Sequence, residues 1–157
     1  MRISVVIAAA LTVFAFAAAP ASAEIVINKS IAGVEPGMSQ EEVLDLIGDP
    51  NTTITNAAFH TTYTYRKLGI KVIFAPNGDT NDVTHIVVYN KGETTATGVG
   101  VGSTYKQMRA GVPGLHCVRA PNRVHRWCSK QTGRIFTNFT VTSTKKIREV
   151  TFGYRGD

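Results

Sequence analysis

The chain has 157 residues, 43% of them hydrophobic and 18% charged, and a net charge of +6. Such a length bounds it to one domain with a single core, or to two small units sharing one. Its basic residues form no dense run and match no accepted RNA- or DNA-binding motif, so nucleic acid is not an expected partner.

Residues Met1 to Ala23 read as a secretory signal peptide. Arg2 is the charged start, Ile3 to Ala19 the apolar run, and Ala21-Ser22-Ala23 the small-residue cleavage site. The alternative is a membrane anchor. The run is alanine-rich and ends in Pro20 rather than basic flanks, so no stable insertion is expected once it is removed. The mature chain is expected to start at Glu24, and the protein to be secreted or periplasmic.

The first helix signal follows a turn at Glu35-Pro36-Gly37. Ser39 stands at the N-cap position and Glu42, three residues on, completes a capping box. Val43, Leu44 and Ile47 share one face, and Gly48-Asp49-Pro50 ends the helix. Strands are expected at about Phe59–Arg66, Ile70–Ala75 and Val83–Tyr89, with a turn at Pro76-Asn77-Gly78-Asp79. A polar connector, residues 91–97, comes next.

The pattern then returns. Gly33–Leu44 reappears in weakened form at Gly98–Arg109, with Thr104 as N-cap and Gln107 as its box partner. Strands are expected at Val124–Lys130, Arg134–Val141 and Ile147–Tyr154. This predicts an α+β fold of two tandem units, residues 24–90 and 98–157, each a short helix packed on one face of an antiparallel sheet. Alternation assigns the sheet faces. Phe59, Tyr63, Ile70, Val72, Phe74, Ile86, Val88, Ile135, Phe139, Val150 and Phe152 should face the helices. His60, Thr62, Thr64, Lys71, Ile73, His85, Val87, Tyr89, His125, Trp127, Phe136, Asn138, Glu149 and Thr151 should face away.

Cys117 and Cys128 are an even pair in a chain bound for an oxidising compartment, and are expected to form a structural disulfide. Charge is uneven. Residues 24–90 carry four Lys and Arg against eight Asp and Glu, whereas residues 91–157 carry twelve against three. Either this serves solubility, or the second half meets an anionic surface.

The run Gly37-Met38-Ser39-x-x-Glu42-Val43-Leu44-x-x-Ile47-Gly48-x-Pro50 resembles the helix-opening motif of two groups. These are the secreted β-lactamase inhibitor proteins and the outer-membrane assembly lipoproteins of the SmpA/BamE group. The first resemblance implies tandem units whose joined sheet grips a partner enzyme, with Cys117 and Cys128 at the place of an inhibitor disulfide. The loop that would carry an inhibitor's acidic contact falls at about Arg66–Gly69, where no Asp or Glu stands.

No catalytic motif is present. There is no G-x-S-x-G elbow, and Gly98-Val99-Gly100-Val101-Gly102 lacks the spacing of a phosphate-binding loop. Asp79 and Asp82 fall in a turn, where such residues fix backbone. No cofactor and no enzymatic activity are expected. His60, His85 and His125 are the material for an alternative, a metal-binding protein or metal-dependent enzyme. The favoured site is an aromatic-basic face of His60, Tyr89, His125, Arg126, Trp127 and Phe136, residue types common at binding hot spots. Trp127 has a second reading, packing on the disulfide. The expected function is an exported binding module for a protein or an anionic envelope polymer. The narrower alternative is an inhibitor of a secreted hydrolase.

Overall fold

The computed structural model describes residues 24–77, 80–120 and 125–155. The signal segment 1–23, the turn residues Gly78 and Asp79, and Val124 lie outside the described residues. The elements in order are β1 (Ile25–Val26), β2 (Ser30–Ile31), α1 (Gln40–Ile47), β3 (Thr52–Thr55), β4 (Thr61–Tyr65), β5 (Ile70–Asn77) and β6 (Thr80–Val88). There follow α2 (Tyr105–Gly111), β7 (His116–Arg119), β8 (Arg126–Thr132), β9 (Ile135–Val141) and β10 (Ile147–Tyr154).

Both helix starts form as their sequences dictate. Ser39 Oγ accepts from the Glu42 amide at 3.2 Å, and Glu42 Oε2 accepts from the Ser39 amide at 2.7 Å. Thr104 and Gln107 repeat the exchange at 3.2 and 2.8 Å. Each box satisfies amides that a helix start would otherwise leave unpaired. Gly48 ends α1 at φ 78° and ψ −167°, a conformation open to glycine, and its amide donates to the Leu44 carbonyl. Helices this short do not persist alone and are held by docking. Each sinks one fully buried side chain, Val43 or Met108, into the core.

The expected pair of tandem helix-plus-sheet units is corrected by the sheet itself. A single eight-stranded antiparallel sheet runs in the order β3-β4-β5-β6-β10-β9-β8-β7, against helices of only eight and seven residues. The physical reason lies at its centre. β6 and β10 pair with each other, Val88 opposite Val150 and Ile86 opposite Phe152, so no free edge separates the two halves. One hydrophobic cluster accordingly spans Tyr63, Ile70, Val72 and Phe74 on one side and Cys128, Phe139, Val150 and Phe152 on the other. Phe74, Phe139 and Phe152 are wholly buried, each contributing about 1.5–3 kcal/mol of hydrophobic stabilisation.

β5 runs further than expected, through Pro76 and Asn77, and β6 starts earlier, at Thr80, so Asp82 pairs with Ala75 in the sheet and not in a turn. β8 spans Arg126–Thr132 where Val124–Lys130 was expected. β10 spans the expected residues. β3 and β7 lie outside the six expected strands, yet they form the two edges of the sheet. Both are short and largely exposed, so they lack the alternation that marks a half-buried strand. Phe59 does not face the helices. It sits in the β3–β4 loop at φ 61° and is 72% exposed, because Asn56 closes a turn around it. Asn56 Oδ1 accepts from the amides of Ala58 and His60. The other residues assigned inward are buried, apart from the half-buried Ile135.

Among the described residues, the covering elements lie on one face of the sheet. The β1–β2 hairpin joins α1 and α2 on it, burying Ile25 and Ile31 and donating from the Asn28 amide to Thr137 Oγ1 at 2.9 Å. The disulfide Cys117–Cys128 is formed and joins directly opposite residues of β7 and β8, Cα atoms 4.0 Å apart. Cys128 belongs to the covered face, where it is fully buried.

Candidate functional site

The opposite face of the sheet carries no covering element among the described residues. Its side chains fall in rows set by the strand register. One row runs Ile54, Thr62, Ile73, His85, Gly153, Phe136, Gln131. A second runs Thr64, Lys71, Val87, Thr151, Asn138, Ser129. Trp127 lies between Val118 on β7 and Thr140 on β9.

Gly153 is the hinge of the first row. It pairs with His85 on one side and Phe136 on the other. Because Gly153 has no side chain, the two rings meet across β10, centroids 5.9 Å apart. A Cβ there would collide with the Thr84 carbonyl oxygen and come within 2.8 Å of the His85 ring. Burial, and secondarily the neighbouring His60, holds the His85 pKa below the ordinary histidine value. The ring is therefore neutral against Phe136 at physiological pH.

Beside Phe136 the face dips into an open depression of about 340 Å³, lined by Val118, Trp127, Ser129, Gln131, Phe136, Asn138 and Arg155. Trp127 is 43% exposed and Val118 45%. Asn138 Oδ1 is buried with no hydrogen-bond partner in the protein. Buried acceptors are normally satisfied, so Asn138 stands out among the side chains of this face. At the other end Lys71 Nζ sits 5.5 Å over the Tyr89 ring, which holds that ring on the face.

The six residues singled out from the sequence thus divide. Tyr89, Trp127 and Phe136 lie on the open face, with the exposed His60 at the start of β4. Trp127 and Cys128 are consecutive in β8 and point to opposite faces, so the tryptophan does not pack on the disulfide. Arg126 points the other way, its guanidinium 5.6 Å over the Tyr105 ring of α2, and it lines with His125 a separate cavity on the covered side. Val118 escaped the sequence reading because β7 did. The exposed Phe59 escaped too, although Asn56, a turn-forming residue three positions before it, was the available signal. The Arg66–Gly69 loop is a tight β4–β5 turn, with Gly69 at φ 65° packed on Asn90. Among the described residues no three His, Cys, Asp or Glu side chains gather as a metal-holding group.

No known family pattern matches the chain, and no curated protein does. Solved structures are similar in shape. An extracellular protein containing an SCP domain from Bacillus anthracis superposes with a TM-score of 0.53 at 10% identity, over 75% of this chain and 43% of that one. A DUF4309 family protein from Bacillus subtilis reaches 0.49 at 14% identity, covering 74% and 78%. A cysteine-rich secretory protein from Staphylococcus aureus reaches 0.49 at 7%, covering 76% and 44%. The chain spans less than half of the first of these, and at such identity that likeness shows the fold alone. The formed disulfide is the bond an oxidising compartment permits.

Proposed function

We propose that the chain is an exported, non-enzymatic binding module, and that a protein partner seats on the open face of its sheet. The observation that carries this reading is the depression around Trp127 and Phe136 with the orphaned acceptor of Asn138 at its floor. Aromatic side chains held on strands lose little entropy on contact, and a donor from the partner would satisfy Asn138. In this reading Met1–Ala23 is removed on export and the mature chain starts at Glu24, which N-terminal sequencing of the exported protein would check.

The test uses the mature protein carrying a photo-crosslinker at Ser129, exposed to envelope extract. Any cross-linked partner is then titrated against wild type, Trp127→Ala and Phe136→Ala. Hot-spot truncations should each weaken binding by roughly tenfold or more. Equal affinity for all three chains would remove the face from consideration.

A further inference from the structure

A second cavity, about 440 Å³, opens at the other end of the β8 and β9 strands, on the covered side and away from the open face. It lies where the first turn of α2, the start of β8, the end of β7 and the β9–β10 turn converge. Its wall holds Arg119, Arg126, Lys145 and His125, together with the Ser143 hydroxyl and the Tyr105 ring. Among the described residues that line it, none is acidic. Like charges gathered round one opening repel, so such a cluster costs stability unless an anion fills it.

The backbone points the same way. Lys145 adopts φ 59°, the left-handed region that disfavours every residue with a Cβ and suits glycine. The turn is pinned there: the Lys145 amide donates to the Thr142 carbonyl at 3.0 Å, and the Lys145 carbonyl accepts from the Tyr105 amide at 2.8 Å. Glycine is the natural occupant of such a hairpin position. A lysine here bears backbone strain while adding its ammonium to the cavity wall. Strained residues of this kind gather at sites that use their side chains. Arg126 is held as well, its guanidinium over the Tyr105 ring.

We propose that this cavity binds a phosphate group, free or as a monoester, through Arg119, Arg126 and Lys145. Two guanidiniums and an ammonium suit a multiply charged tetrahedral oxyanion better than a single carboxylate. Ser143 supplies a hydroxyl donor. The site is on the opposite side from the proposed protein-binding face and stands independently of it.

The test is calorimetric titration of the full mature chain with inorganic phosphate, glycerol 3-phosphate and acetate, read together with the thermal midpoint. One of the two phosphates should bind saturably at one site and at least about tenfold more tightly than acetate. The better of the two tells whether the free anion or its ester is the ligand. Lys145→Gly should hold or raise the thermal midpoint while weakening phosphate binding by about tenfold, and Arg126→Gln should weaken it similarly. Lys106→Gln, on α2 outside the cavity, should leave binding unchanged. Absence of saturation below roughly 10 mM phosphate, equal binding by Lys145→Gly, or an equal loss in Lys106→Gln would overturn the proposal.

Discussion

The two faces of the sheet are built from the same strands, yet they obey different rules. On the covered face, apolar side chains fill the space under two short helices and a hairpin, and position is dictated by packing. On the open face, aromatic, β-branched, histidine and threonine side chains alternate without a layer above them. The contrast teaches that this chain spends its helices on one side only. What the open face holds is therefore not needed for the core, and substitutions should separate the two sides cleanly.

The largest separation should come from two phenylalanines on the same strand. Phe139→Ala, on the covered face, should cost about 3–5 kcal/mol in urea unfolding, through lost burial and the cavity left behind. Next, replacing Cys117 and Cys128 together by serine should cost about 2–3 kcal/mol, because the disulfide closes a short loop in the unfolded chain. Reduction of the wild type should reproduce that loss. Gly153→Ala strikes the point where the His85 and Phe136 rings meet across β10. Its new methyl would collide with the Thr84 carbonyl, and a loss of about 1–3 kcal/mol is expected, with the His85–Phe136 contact shifted in NMR spectra.

Titration sharpens the same contrast. Glu93, a buried residue of the connector, has its pKa raised by burial to about 7. A raised carboxyl stabilises fully below its unfolded pKa and loses that contribution as pH climbs through 7. Glu93→Gln should thus equal wild type at pH 4 and exceed it by on the order of 1–2 kcal/mol at pH 8. His85 on the open face works in the other direction. Its pKa is lowered, so its contribution is intact above the ordinary histidine value and lost as pH falls through the depressed one. Thermal melts of wild type, Glu93→Gln and His85→Phe across pH 4–8 would resolve the two slopes. The smallest effect should be Phe136→Ala on the open face, within about 1 kcal/mol in urea unfolding.

What could be read in advance follows the range of the forces involved. The capping boxes at Ser39 and Thr104 were legible because all their partners lie within three residues. The inward set from Tyr63 to Phe152 was legible because alternation survives in strands with one buried face. The Cys117–Cys128 bridge was legible from cysteine count and compartment. The pairing of β6 with β10 was not, since residues such as Val88 and Val150 are far apart in the chain and carry no mutual mark. Neither were β3 and β7, whose Thr-rich or basic sequences are those of exposed edges. The face of Tyr89, Trp127 and Phe136 was foreseen from alternation. The cavity at Arg119 and Lys145 was not, because it exists only where four separate stretches of chain converge.

The position of β10 bears on how the protein is made. It is synthesised after every other strand, yet it occupies the middle of the sheet. Until it emerges, β6 and β9 each keep a row of unpaired backbone groups, and the apolar layer lacks Val150 and Phe152. A nascent chain thus cannot close its sheet until β10 is made, and a chain cut short before Ile147 should expose β6 and β9 as unpaired edges.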